Sequence, residues 1–152
     1  MSTADHVAIR ALQATYADVV TRMAFAELAD LFVPDIRLVM ELPRHHKEIV
    51  GPQAFGDYVA ARIAHLEFFQ FVVTNAVADV AGDTASGRTW FYELHQDAGH
   101  HRLVHLYGLY RDEFVRVDGR WWFAHRRFAP LAMTSRDPDR DLDVFLLPPD
   151  GS

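Results

Sequence analysis

The sequence contains no cysteine. This excludes disulfide bonds, thiol catalysis and cysteine-ligated metal sites. No uncharged apolar run approaches the ~18 residues of a membrane-spanning helix, and segment 1–10 has no apolar core of signal-peptide length. We therefore expect no membrane segment and a cytoplasmic protein.

Positive charge is also scarce: the chain has 15 Lys and Arg and 21 Asp and Glu, which gives a net charge of −6. A protein that tracks phosphates along nucleic acid needs a basic face, so no nucleic-acid partner is predicted. The two small basic clusters, 44–47 and 100–102, lie in predicted loops. Glycines stand singly, and no glycine-rich nucleotide-binding motif occurs. We predict no cofactor.

Nine histidines raise the question of a metal. His101 and His105 have a spacing that suits a helix, but on a strand they would lie about 13 Å apart. No acid or third histidine stands at the spacing of a helical zinc site. No metal site is predicted.

The 152 residues, half of them hydrophobic, fit one globular domain. Apolar residues recur with helical spacing in the first third of the chain, and β-type segments with short turns fill the rest. The predicted helices cover 8–23, 25–32 and a segment that starts at 51–52. The predicted strands cover 36–42, 68–80, 84–97, 102–117 and 120–132.

This order predicts an α+β fold in which three N-terminal helices pack on a strongly bent antiparallel sheet, forming a cone-shaped barrel with an internal cavity. We expect the domain to span residues 1–133. The tail, 134–152, is charged and then apolar. It is expected to pack across the body or a partner subunit, with a mobile end.

One acid lies in the run "GRTWFYELH" at 87–95. Side chains alternate between the faces of a strand, so Phe91, Glu93 and His95 share a face. We expect this face to look into the cavity, where burial raises the pKa of a carboxyl group and lets it exchange protons. The alternative is a structural acid paired with Arg88 or Arg126.

The chain resembles a known family in several stretches: the helix that carries Tyr16, "VVTN" at 72–75, "GDTASGR" at 82–88 and "GLYRDEFVRVDGRWWFAHR" at 108–126. They resemble the SnoaL-like branch of the nuclear transport factor 2-like superfamily over roughly residues 5 to 130. The resemblance implies the cone-shaped fold and a homodimer. Relatives include polyketide cyclases, ketosteroid isomerase, scytalone dehydratase and bile-acid dehydratase, so the fold alone leaves the reaction open.

The resemblance also implies site residues. Tyr16 takes the place of a pocket tyrosine that hydrogen-bonds a substrate oxygen, and Glu93 takes the place of an acid. The aspartate of the family's acid–base pair is replaced by Thr21. The place of its histidine falls at Gln70 or Phe71, so the Asp–His pair is missing.

Further residues are candidates for the substrate-binding wall. His95 is otherwise a rim histidine near a hairpin turn, and Asn75 is otherwise a residue at a strand edge. The complete set of predicted substrate-binding residues is Phe68, Gln70, Asn75, Phe91, His95 and Tyr110. The hairpin at 95–102 is a candidate flap over the cavity mouth, because it combines Gly99 with polar residues.

These features predict a cofactor-independent cyclase that folds a small, lipophilic, polyketide-like substrate. Tyr16 would polarise a carbonyl group, and Glu93 would remove a neighbouring proton or orient a polar group. One alternative is an isomerase or dehydratase of a lipophilic carbonyl or steroid-like compound, with Glu93 or Glu41 as base. Another is a non-catalytic small-molecule-binding module.

Overall fold

The computed structural model describes residues 2–145. Helix α1 spans Thr3–Thr21, a 3₁₀ helix spans Phe25–Asp30, and α2 spans Pro52–Ile63. The strands are β1 (Phe32–Leu42), β2 (His45–Val50), β3 (Leu66–Ala81), β4 (Thr84–Asp97), β5 (Leu103–Val117), β6 (Arg120–Thr134) and β7 (Leu142–Val144). The predicted α+β class and cone-shaped architecture are confirmed.

The seven strands form one strongly curled sheet that does not close, in the order β2-β1-β6-β5-β4-β3, with β7 paired to β6. Strands β3 to β6 follow one another through hairpins and pair antiparallel. The pairing of β1 with β6 is parallel. The sheet is therefore built mainly from one long meander. The helices cover its concave side.

Helix α1 begins where the Ser2 hydroxyl accepts a hydrogen bond from the Asp5 amide, at 3.2 Å. An N-cap of this kind satisfies an amide that has no partner within the helix. One face of the helix is buried against the sheet, through Ile9, Tyr16 and Val19 among others. The apolar spacing that predicted this helix thus also predicted its inner face.

Strand β1 begins at Phe32, four residues earlier than predicted. Its pairing with β6 is interrupted between Phe32 and Arg37. Pro34 lies in this irregular stretch, where the missing amide hydrogen breaks no ladder bond. The predicted end of the strand before Pro43 is correct.

Two short strands were not predicted. Strand β2 pairs Leu42 with His45 at the start of a tight hairpin, so the basic cluster at 44–47 lies partly in a strand and not in a loop. Strand β7 places part of the tail on β6, and Phe145 reaches the central cavity. The predicted mobile end, 146–152, lies outside the described residues.

An aromatic core fills the narrow end of the cone. Phe32 contacts Phe123 edge-to-face with ring centroids 5.4 Å apart, and Phe114 packs on Phe123 at 5.0 Å. These rings are almost completely buried. In the described part of the chain, no helix has the length and apolarity to cross a membrane.

Candidate active site

A cavity of about 1070 Å³ lies between α2 and the sheet. Its volume suits a drug-sized organic molecule. Tyr16, Glu93 and Tyr110 line it together with Phe128. Most of the remaining wall is apolar: Val20, Met40, Leu42, Phe55, Val59, Ile63, Leu66, Phe69, Val104, Leu106, Pro130, Met133 and Phe145.

The two tyrosines form a pair across the fold. Their hydroxyl oxygens lie 3.0 Å apart, and the rings meet edge-to-face with centroids 5.7 Å apart. Burial raises the pKa of Tyr16 to about 12 and that of Tyr110 well above its usual value. Both phenols therefore stay protonated at neutral pH. One hydroxyl donates to the other, and the remaining O–H of the pair can donate a hydrogen bond to a substrate oxygen.

A buried cation lies against both rings. The guanidinium carbon of Arg126 is 4.1 Å from the centre of the Tyr16 ring and 3.7 Å from that of Tyr110. Asp112 neutralises it, with Arg126 Nε donating to Oδ1 at 2.6 Å and Nη2 to Oδ2 at 3.1 Å. The side chains of this ion pair are 1% and 0% exposed, so it is screened little by solvent.

A hydrogen-bond chain holds the carboxylate of this ion pair. Thr89 donates to Asp112 Oδ2 at 3.0 Å, and Gln13 Nε2 donates to the Thr89 hydroxyl at 2.9 Å. All four polar side chains of the network are buried. The network ties α1 to β4, β5 and β6 directly behind the tyrosine pair, which fixes the position of the phenols.

Glu93 faces the cavity without a fixed partner. Within residues 2–145 its carboxyl group accepts no hydrogen bond and forms no ion pair. Burial raises its pKa to about 7, an effect that the charge of Arg62 opposes. A carboxyl group with such a pKa both takes and gives protons near neutral pH, as a general acid–base catalyst must.

His95 lies two residues further along β4 and also lines the cavity. Its ring stacks on Phe69 with centroids 6.4 Å apart, and its buried Nδ1 has no hydrogen-bond partner in the described chain. Burial lowers the pKa of this imidazole, with a further contribution from the charge of His65. It is therefore a neutral group with one free nitrogen.

Comparison with known proteins agrees with the observed fold. The sequence of residues 1–127 matches the SnoaL-like domain. The chain belongs to that family. No curated protein matches its sequence.

Solved structures share the fold of this SnoaL-like domain. A scytalone dehydratase-like protein from Novosphingobium aromaticivorans superposes with a TM-score of 0.73 at 24% identity, covering 95% of this chain and 92% of its own. Hexachlorocyclohexane dehydrochlorinase LinA-type3 from Novosphingobium barchaimii gives 0.75 at 20% identity, with 94% of each chain covered. An NTF2-like protein from Streptomyces avermitilis, assigned as a dehydratase, gives 0.68 at 20%, covering 84% and 96%.

The missing Asp–His pair of this SnoaL-like domain has a defined replacement. Thr21 Oγ1 accepts a hydrogen bond from the Phe71 amide at 3.1 Å and donates one to the Phe71 carbonyl at 3.2 Å. The Phe71 ring stacks on Phe91, with centroids 4.7 Å apart. Thr21, where the resemblance implies the family's aspartate, is therefore a backbone clamp. Of the two positions implied for the histidine, Phe71 is an apolar ring and Gln70 is exposed.

Three predicted wall residues on β3 point away from the cavity, so their predicted location is wrong. Phe68 is 48% exposed, Gln70 is exposed, and Asn75 uses its Oδ1 to accept from the Ala76 amide on the outer side. Phe69 lines the cavity instead. For Asn75 the cause is a register shift between Val73 and Asn75, since an extra residue in a strand inverts the alternation of its faces.

Phe91 faces inward as predicted, but it lies in the core beneath the cavity. It packs on Tyr110 with centroids 4.9 Å apart and on Phe128 at 5.7 Å. Gly108 on β5 makes room for this ring, because a Cβ there would lie within 2.8 Å of three of its carbons. Phe91 therefore supports the tyrosine pair and does not form part of the cavity wall.

Glu41 is unsuited to the role of base. Its neighbours Met40 and Leu42 line the cavity, whereas Glu41 forms an ion pair with Arg127 at 2.6 Å. Alternation along β1 places it on the opposite face. The proposed pairing of Glu93 with Arg126 is likewise wrong, since Arg126 binds Asp112.

The buried network was missed in the sequence. Asp112 shares a strand face with Tyr110, which indicates that this acid is buried. A buried acid needs a cationic partner. The identity of that partner depends on the β5–β6 register, which pairs Asp112 with Arg126. Among residues 2–145, no three His, Asp or Glu side chains are grouped so as to hold a metal ion.

Proposed function

We propose that this SnoaL-like domain is a cofactor-independent acid–base enzyme that closes a ring in a small lipophilic carbonyl compound. The observation that supports this most directly is that Glu93 lines the same cavity as two phenols and has no hydrogen-bond or ion-pair partner within residues 2–145. Burial there raises its pKa to about 7. A base beside an oxygen-binding pair is the arrangement that enolate formation needs.

The reaction begins when a substrate carbonyl oxygen accepts a hydrogen bond from the tyrosine pair. Ionised Glu93 removes a proton from the carbon next to that carbonyl, and the phenols stabilise the enolate. The enolate carbon attacks a second carbonyl of the same molecule, forming a carbon–carbon bond. The proton on Glu93 then passes to the new alkoxide, so atoms and charge balance.

The cavity supplies the remaining part of the barrier reduction. Ring closure requires a flexible chain to adopt a single bent shape, and a cavity that imposes this shape supplies up to about 7–11 kcal/mol in favourable cases. The curved sheet and the apolar inner face of α2 provide such walls on opposite sides. No second strong acid–base group is needed.

A dehydration or isomerisation is a second candidate. It shares the first step, after which a proton returns to another carbon or a hydroxide group leaves as water. His95 favours this alternative, because its position two residues from Glu93 brings a second titratable group about 7 Å along the strand. Relatives assigned as dehydratases also share the fold.

The test is turnover of β-polyketone thioesters of graded length, followed by mass spectrometry in deuterated buffer. Ring closure leaves the substrate mass unchanged apart from exchanged deuterium, whereas dehydration removes one water. Glu93→Gln and Tyr16→Phe should each lower kcat/KM at least tenfold, equal to about 1.4 kcal/mol. Glu113→Gln, an acid exposed on β5, is the control and should leave turnover unchanged.

The outcomes separate the candidates. Full activity of both site variants would remove Glu93 and Tyr16 from the mechanism. Exchange of the α-hydrogen without a new carbon–carbon bond would favour isomerisation. If the protein binds lipophilic compounds tightly but changes the mass of none of them and exchanges no hydrogen, a non-catalytic binding module is favoured.

A further inference from the structure

Four cationic side chains from different parts of the fold line the cavity. Lys47 lies on β2, Arg62 in α2, Arg102 directly before β5 and Arg136 after β6. We call them the cationic rim. Lys47 is the one lysine of the chain, so its place at this cavity is not the result of a lysine-rich surface.

The cationic rim has no carboxylate partners. Within the described residues, none of its four members forms an ion pair. Arg102 is fixed by donating to the backbone carbonyls of Thr134 and Ser135, at 3.1 and 3.0 Å, which holds the side chain without neutralising it.

Some arginines elsewhere on the surface do have carboxylate partners. Arg22 pairs with Asp18 and Glu27, and Arg116 pairs with Asp5 among others. Within residues 2–145, carboxylates thus neutralise Arg22 and Arg116 but none of the four cations that line the cavity.

The local charge balance favours an anion. Four Lys or Arg side chains line the cavity against two acids, Glu93 and Asp97, in a chain whose net charge is −6. Asp97 is held in place by the amides of Gly99 and His100, which donate to its Oδ1, but it keeps its charge, so the balance is four cations to two acids. A cleft dominated by one sign of charge concentrates ligands of the opposite sign.

We infer that the substrate is an amphiphilic anion, whose apolar body occupies the inner cavity and whose carboxylate or phosphate group binds the cationic rim. This deepens the proposed function and rests on it only in taking this cavity as the substrate site. Binding the remote anionic group would orient the molecule and place its carbonyl at Tyr16.

The test compares probes that share one apolar body: 2-naphthoate, 2-naphthyl phosphate and neutral 2-naphthalenemethanol. Dissociation constants are measured by titration calorimetry with the intact protein at about 20 mM and about 300 mM NaCl. At low salt we expect at least one anion to bind at least about tenfold more tightly than the alcohol, and only that preference to weaken with salt. The tighter anion distinguishes a carboxylate from a phosphate site.

Matched variants locate the binding. The double substitution Lys47→Gln/Arg136→Gln removes two rim charges, whereas Arg44→Gln/Arg140→Gln removes two nearby exposed charges that do not line the cavity. The rim variant should weaken anion binding at least about fivefold and leave the alcohol unaffected, whereas the control variant should bind all three probes as the native chain does. Thermal unfolding checks that both variants are folded.

Two results would overturn the inference: equal affinity for the anions and the alcohol, or equal loss of anion affinity in both double variants. Glu93→Gln and Tyr16→Phe should retain the preference for the anion. If they do so but the native chain turns over none of the polyketone substrates, the proposed reaction fails while the anion site stands. If turnover depends on Glu93 but the rim variant behaves like its control, the anion site fails while the proposed reaction stands.

Discussion

The Tyr16 hydroxyl lies 3.0 Å from the Tyr110 hydroxyl, joining a helix to a strand 94 residues away. This bond closes the inner end of the cavity, and the guanidinium of Arg126 lies against the faces of both rings. The geometry of the oxygen-binding site therefore depends on a buried ion pair that does not itself line the cavity.

We predict that the two phenols are energetically coupled. Tyr16→Phe and Tyr110→Phe should each lower the free energy of unfolding by about 1–2 kcal/mol, because the remaining hydroxyl is left buried without its partner. The double variant should lose less than the sum of the two. Urea unfolding measures all three, with Tyr107→Phe, on an exposed tyrosine, as the control expected to change by less than about 0.5 kcal/mol.

The ion pair behind the phenols should respond unequally to single and paired substitutions. Asp112→Asn leaves Arg126 charged and buried, so we expect a loss of about 3–5 kcal/mol in unfolding free energy. Arg126→Met/Asp112→Leu removes both charges and should lose less. In comparison, Arg22→Gln disrupts an exposed ion pair and should cost no more than about 1 kcal/mol.

A larger loss in the double variant than in Asp112→Asn would contradict this account. It would show that the contacts of the Arg126 guanidinium with Tyr16 and Tyr110 outweigh the penalty of burying its charge. Near-ultraviolet circular dichroism, which reports on the packing of aromatic rings, would then show a larger change in the double variant.

Local sequence patterns predicted the helices and strands well but located only some of the residues of the site. On β4 the uninterrupted register with β5 keeps strict alternation, so Glu93 and His95 were placed on the correct face. On β3 the run "FFQFVV" is apolar on both faces, and a register shift follows it. Alternation could therefore decide neither Phe68 nor Asn75.

Local sequence patterns could not predict the buried polar network, for a different reason. Gln13 and Thr89 are separated by 76 positions, and Thr89 and Asp112 by 23. Their contact follows from how α1 packs on the curled sheet and from strand register, and neither leaves a local signal in the sequence. The family resemblance supplied Tyr16 and Glu93 but not the residues that hold them.

Gly108 should be required for the packing beneath the tyrosines. Gly108→Ala places a methyl group within 2.8 Å of three Phe91 ring carbons, so we expect a loss of about 1–3 kcal/mol from overpacking. Phe91→Leu in the same chain should recover part of this loss by removing the ring. If the double variant is no more stable than Gly108→Ala, the contact with Phe91 is not the cause.

Glu93 should make the stability of the protein depend on pH. Its pKa is raised to about 7 in the folded state by burial, from a usual value of 4.5. Between these values the folded chain binds more protons than the unfolded chain, so stability falls as pH rises. The neutral carboxyl group favours folding fully below about pH 4.5, and this advantage is lost as pH passes through 7.

Urea unfolding of the native chain and of Glu93→Gln at pH 5 and pH 8 measures this effect. Because glutamine cannot ionise, the free energy of unfolding of the variant, measured relative to that of the native chain, should rise by about 2–3 kcal/mol from pH 5 to pH 8. Glu27→Gln is the matched control: a hydrogen bond from Arg22 lowers the pKa of Glu27, so this carboxyl stays ionised over the range. A constant difference between Glu93→Gln and the native chain would mean that Glu93 is ionised throughout, and a proton-accepting role with a pKa near 7 would then be untenable.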